Sequence, residues 1–108
     1  MEIKEYKNLE EAIRNILFMK DDQEHILVRH SLQEGEKIGK HFHPKVDEYL
    51  ILNDGRIKAT LSGDSGYVDA KDKTLVIKFP REHYHGLEAL SWIRYLVLRT
   101  GDDEIIYR

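Results

Sequence analysis

A chain of 108 residues with 17 Lys and Arg against 20 Asp and Glu carries a net charge of −3, which excludes the basic footprint of a nucleic-acid binder. Hydrophobic residues at 41% and charged residues at 34% are globular proportions, and the length fits a single domain spanning 1–108. With no cysteine, disulfides and thiolate metal sites are both impossible.

The opening stretch, Met1 to Lys7, alternates charge and lacks the apolar region of a secretory signal, so a cytoplasmic location is expected. No apolar run exceeds a strand in length, so no membrane span is expected. A helix is predicted over about 9–17. Asn8 caps it with Glu11 three residues on, and Leu9, Ala12, Ile13, Ile16 and Leu17 share a face. Asp21-Asp22-Gln23 breaks that pattern, and a barrel is predicted over about 25–108.

His25 to Gln33 is predicted to be extended, with Ile26, Val28, His30 and Leu32 on one face. After the Glu34-Gly35-Glu36-Lys37 turn comes a short strand, Ile38 to His43, ended by Pro44. Asp47 to Leu52 and Arg56 to Leu61 flank Asn53-Asp54-Gly55, which reads as a hairpin turn because these residues tolerate positive φ. Gly63-Asp64-Ser65-Gly66 is a second turn. Tyr67 to Ala70, Thr74 to Phe79, Trp92 to Arg99 and Glu104 to Tyr107 supply the remaining strands. Short strands with turns every eight to twelve residues predict an all-β sandwich or barrel. Strands such as Glu48 to Leu52 and Trp92 to Leu98 are apolar on both faces and need cover on both sides. A second subunit, giving a homodimer, is the expected cover.

Chemistry concentrates in four residues. His41 and His43 stand two apart on a strand, about 6–7 Å along it, with both imidazoles on one side. Two imidazoles so placed can converge on one ion at roughly 2.0–2.2 Å. Glu48 opens the next strand and adds the negative charge that favours a dication. His85 follows 37 residues later in a stretch opened by Pro80.

Gly35, five residues, His41-Phe42-His43, four residues, Glu48, six residues, Gly55 resembles the first motif of the cupin superfamily at every spacing, and Pro80, four residues, His85 is similar to the second. The resemblance covers about His25 to Arg99. It implies a jelly-roll β-barrel with a metal inside its mouth, held by His41, His43, Glu48 and His85. Three positions depart from the second motif: Glu82 and Thr74 stand where Gly is usual, and Ala89 where Asn is common.

Further candidates surround this set. His83 shares the parity of His85 and is either a further ligand or a solvated residue. His30 contacts substrate, supports the ligands or fills core. The last long strand offers Trp92, Arg94, Leu96 and Leu98 on one face and Ile93, Tyr95, Val97 and Arg99 on the other. A cavity holding a dication should not also bury an unpaired Arg, because like charges repel strongly in low dielectric. Ile93, Tyr95 and Val97 are therefore placed inside, with Tyr95 a candidate proton donor or substrate contact. Arg94 inside would instead mark an anionic-substrate site. Arg81-Glu82 and the run Gly101-Asp102-Asp103-Glu104 read as solvated turns.

Three imidazoles and one carboxylate suit Fe, Mn, Ni, Zn or Cu as the divalent ion. The resemblance implies a range of activities (dioxygenase, isomerase, lyase) on a small polar substrate, with Tyr95 or His30 managing protons. The alternatives are a non-catalytic module that binds a sugar or small acid, and a purely structural metal.

Overall fold

The computed structural model describes residues 1–19, 25–100 and 106–107. The expected break at 21–23, the turn at 101–104 and the side chain of Ile26 lie outside the described residues. In chain order the elements are β1 (Glu2–Tyr6), α1 (Leu9–Met19), β2 (His25–Leu32), β3 (Lys37–Phe42), β4 (Glu48–Asp54), β5 (Arg56–Leu61), β6 (Asp64–Asp69), β7 (Thr74–Phe79), β8 (His85–Ala89), β9 (Ile93–Thr100) and β10 (Ile106–Tyr107). The strands form two five-stranded sheets, ordered β1-β7-β4-β9-β2 and β10-β3-β8-β5-β6, with every pairing antiparallel.

Alternation along the strands separates two apolar layers. Leu50, Leu52, Ile77, Ile93 and Val97 of the first sheet meet Ile57, Ala59, Leu87 and Ala89 of the second between the sheets. The intervening residues Tyr49, Ile51, Val76, Leu96 and Leu98 point outward, where Ala12 and Ile16 of α1 cover them. Burying each large aliphatic side chain contributes about 1.5–3 kcal/mol. The helix thus supplies, within the chain, cover for the outward face of the first sheet. Leu27 and Trp92, both about half exposed, are large apolar residues left open toward the β2 edge.

Local chemistry explains where α1 starts. The Glu11 amide donates to Asn8 Oδ1 at 2.8 Å, and the Glu11 carboxylate accepts from the Lys7 amide at 3.3 Å. This is the expected reciprocal cap, with the return bond made one residue earlier. Two strands escaped the sequence reading. Alternating charge in Glu2–Tyr6 belongs to an exposed edge strand, where charges discourage further pairing. β8 is short and holds a histidine and a glycine among its five residues, which dilutes the strand signal.

The expected hairpin at Asn53-Asp54-Gly55 is a corner instead. β4 pairs with β7 and β9, whereas β5 pairs with β6 and β8 in the other sheet. The turn after β5 is the hairpin, and it is tighter than predicted. Ser62 and Gly63, both with positive φ, join Leu61 to its partner Asp64.

Gly55 is required at the corner for two reasons. Its φ is +92°, and a Cβ there would sit 2.6 Å from both Ile93 Cγ2 and the Trp92 carbonyl oxygen. Gly55→Ala is expected to destabilise the protein by about 3 kcal/mol or more, combining backbone strain with overpacking. Gly35→Ala, at φ +88° with open space around the new methyl, should cost only about 1–2 kcal/mol. Urea unfolding of both variants measures the difference.

Candidate metal centre

The site lies between the sheets. His41 near the end of β3 and His85 at the start of β8 are direct cross-strand partners. His43 follows two residues after His41. Glu48 opens β4 in the opposite sheet, between Phe79 of β7 and Arg99 of β9.

An irregularity in β3 aims these side chains. Ile38 pairs with Leu87 but His41 pairs with His85, so β3 spends one more residue than β8 over the same interval. Simple alternation would turn Ile38 and His41 to opposite faces, yet both line the same cavity. The extra residue also sets an imidazole. His41 Nδ1 lies 2.9 Å from the carbonyl of Gly39. A carbonyl only accepts, so Nδ1 carries the hydrogen and Nε2 presents its lone pair to the site. His85 repeats the arrangement, with Nδ1 3.3 Å from the His83 carbonyl, while the Phe79 ring stacks on it at 4.3 Å.

One ligand atom from each of His41, His43, Glu48 and His85 lies within 4.8 Å of the others. Donors about 2.1 Å from one ion are at most about 4.2 Å apart. The group therefore needs a contraction of well under about 1 Å to close on a metal. All four residues are buried, His43 to 1% exposure and Glu48 to 6%. His43 Nε2 is 2.5 Å and His85 Nε2 3.4 Å from the same Glu48 oxygen. His85 Nε2 is buried with no hydrogen-bond partner among the described residues. A nitrogen lone pair and a carboxylate oxygen so close repel unless a proton or a metal ion lies between them.

The protonation states suit that cation. Burial pushes His41 below its ordinary value of 6.5; the Gly39 carbonyl opposes this and nearby His85 reinforces it. Burial also opposes ionisation of Glu48, but contacts with the His43 and His85 imidazoles outweigh it and hold the carboxyl well below its usual range. A neutral imidazole and a formed carboxylate are the states a divalent ion requires.

The flanking turn carries residues the sequence reading left to solvent. The Arg81 amide donates to Asp47 Oδ1 at 2.9 Å, and its Nε lies 3.4 Å from the same oxygen. Glu82 adopts φ +68°, the left-handed conformation that suits glycine, and its amide donates to the His43 carbonyl at 3.0 Å. The departure from Gly at this position is thus held by a bond to a candidate ligand. Thr74, also standing where Gly is usual, is buried and donates its hydroxyl to Asn53 Oδ1 at 2.8 Å. The turn is exposed as expected, yet it braces the site.

A cavity of about 200 Å³ opens beside the four residues. His30 and Tyr95 both line it, with rings 5.4 Å apart; Tyr95 is buried and His30 exposed. Burial, then the Glu48 charge, pushes the Tyr95 phenol up to about 12. His83 is exposed, outside the ligand group, with Nδ1 donating to the Arg81 carbonyl at 2.8 Å. Ile93, Tyr95 and Val97 face inward as expected, and Arg94 lies outside over the Trp92 ring. Two cavity residues were missed. Tyr107 of β10 stands 5.8 Å from the His41 ring, and Arg99 follows from its parity with Tyr95 and Val97.

No protein-family model and no curated protein matches the chain. Solved structures do. A conserved protein of unknown function from Streptococcus pyogenes aligns at TM-score 0.65 and 22% identity over 76% of this chain and 68% of its own. A double-stranded β-helix domain protein from Klebsiella pneumoniae aligns at 0.68 and 15% over 77% and 69%. KdgF from Halomonas sp. aligns at 0.64 and 19% over 72% and 70%. Likenesses at this level of identity carry the fold alone, and the fold named among them is the double-stranded β-helix.

Proposed function

We propose that this chain is a small metal-binding cupin whose two sheets form a jelly-roll barrel around one divalent transition metal. His41, His43, Glu48 and His85 are its ligands. The observation that carries this reading is the convergence of four buried ligand atoms, two of them on imidazoles whose Nδ1 hydrogens are committed to backbone carbonyls. Fe, Mn, Ni, Zn and Cu all accept such a set, and the bound ion would supply Lewis-acid or dioxygen-activating chemistry.

The molecule acted on is small and polar. A cavity of about 200 Å³ has the share of liquid volume of roughly seven waters. Tyr95, neutral well beyond physiological pH, serves there as a proton donor and not as a base. His30 stands beside it at the mouth. Tyr95→Phe is expected to leave metal content unchanged and to slow turnover by about 10²-fold or more if the phenol transfers a proton. An unchanged rate would make Tyr95 a packing residue.

The competing reading is a structural ion closed off by its four ligands. Cobalt(II) substitution separates the two, because an ion with open positions gives weak visible absorption and a tetrahedral one gives intense bands. Weak bands that change when a small carboxylate is added are expected. Intense, unresponsive bands would favour the structural role.

A further inference from the structure

We infer that the outer face of the first sheet carries a second site, which binds the phosphate group of a small phosphate monoester between Arg29 and Arg94. It is independent of the metal reading, because it lies on the other side of that sheet from the four candidate ligands. A cavity of about 190 Å³ opens there. Buried Ile51 of β4 and Leu96 of β9 form its floor and Leu9 of α1 a wall, while Arg29, Arg94 and Asn53 bring polar groups to it.

Strand register places the two arginines together. Arg29 of β2 lies across from Leu96, and Arg94 stands two residues before Leu96 on the same face. The pair is therefore diagonal, about 7–8 Å apart at the backbone. Like charges so placed work against the sheet unless an anion lies between them. The protein supplies none. Among the described residues lining the cavity there is no Asp, Glu or Lys, and neither guanidinium makes an ion pair or hydrogen bond with a described residue. Asp54, opposite Arg94 in register, belongs to an adjoining hollow with Lys7 and Lys73. The chain as a whole has the opposite balance, 17 basic residues to 20 acidic.

Two contacts ready the donors. The Arg94 guanidinium lies over the Trp92 ring, 5.3 Å from its centroid. A cation over an aromatic face is held by its charge and keeps its N–H groups for other partners. Buried Thr74 donates its hydroxyl to Asn53 Oδ1 at 2.8 Å, which leaves Nδ2, a donor, for a ligand. Two guanidiniums and an amide, carried on three strands, suit the several oxygens of a phosphate dianion, whereas one fork already satisfies a carboxylate. The apolar floor takes the body that the phosphate is attached to, and the volume keeps that body small.

The test is calorimetric titration of phenyl phosphate, benzoate, phenol and inorganic phosphate at low ionic strength. Wild type, R29Q, R94Q and the double variant are compared, with the Asn53 side-chain amide followed by NMR. Wild type should bind phenyl phosphate at least about tenfold more tightly than benzoate or phenol, and several-fold more tightly than inorganic phosphate. Each single substitution should weaken phenyl phosphate by about tenfold and the pair by about a hundredfold. The Asn53 amide should shift on saturation of wild type. Chelator should leave the affinity unchanged; affinity lost with the metal would put the phosphate on the ion and overturn the inference. So would no phenyl phosphate binding at millimolar concentration, benzoate or inorganic phosphate bound as tightly, or wild-type affinity in the double variant. Vesicles of phosphatidic acid in phosphatidylcholine test a lipid source, and binding to them alone would also overturn it. Both arginines are exposed, so glutamine there should cost little stability. If the double variant does not fold, the two single variants decide in the same way.

Discussion

Protein prepared without chelator is expected to carry about one equivalent of a transition metal, and His41→Ala combined with His43→Ala should abolish it. The double substitution removes two of the four donors, leaving Glu48 and His85. Loss of a group that merely orients a ligand costs 10- to 100-fold in metal affinity, and loss of two ligands costs more. Retention below about a tenth of an equivalent is therefore the expected elemental analysis. Both histidines are buried, at 8% and 1% exposure, so their truncation also leaves space in the interior. His83→Ala is the control. It removes an imidazole two residues from His85 that is exposed and stands outside the cluster, and it should keep the full complement. Full retention by the double variant would sink the ligand assignment.

What made this site legible was spacing. His41 and His43 two apart, Glu48 five further on and the glycines at 35 and 55 form a pattern that survives without knowing the pairing of strands. Gly55 shows why such a pattern is physical: its backbone conformation and the contact with Trp92 and Ile93 admit no side chain. What spacing could not convey was long-range pairing. Asn53-Asp54-Gly55 has the composition of a hairpin, yet whether a turn closes a hairpin or crosses between sheets depends on partners far along the chain. The bulge before His41 was equally hidden, because Gly39-Lys40 looks like ordinary strand until its partner β8 is known. Arg99 was in view on the inward face. The alternation that turns Arg94 out over Trp92 turns Arg99 toward the cavity.

The two-faced apolar strands show the same limit. Their need for cover was readable from Tyr49, Ile51, Leu96 and Leu98, and the helical face of Ala12 and Ile16 was readable as well. Joining the two required knowing that β1 pairs with β7, which brings the start of α1 back across the first sheet.

Acid should release the metal and destabilise the fold together. In the metal-free protein, burial holds His41 below the 6.5 of the unfolded chain, so the unfolded state binds its proton first. Stability therefore falls as pH drops below about 6.5 and continues falling until the folded-state value is reached. Glu48 acts in a lower window. Its folded value is depressed below the ordinary 4.5, so its contribution is fully present above that pH and is lost as pH falls through the folded value. Between pH 8 and 5, then, His41 contributes to the metal-free slope and Glu48 does not. Bound metal adds a steeper term, because three imidazoles must be deprotonated and each ion released takes up more than one proton. At a free-ion concentration a hundredfold above Kd the ion stabilises the fold by about 2.7 kcal/mol. At about 4 °C per kcal/mol for a domain near this size, chelator should lower Tm by roughly 10 °C at pH 8. The gap between the two melting curves should narrow below about pH 6 as protons displace the ion. A melting curve unchanged by chelator at neutral pH, with removal of the metal verified by elemental analysis, would mean that the unfolded chain holds the ion as well as the fold does, which a structural metal does not allow. The ion would then be present for the ligand that the cavity beside it admits.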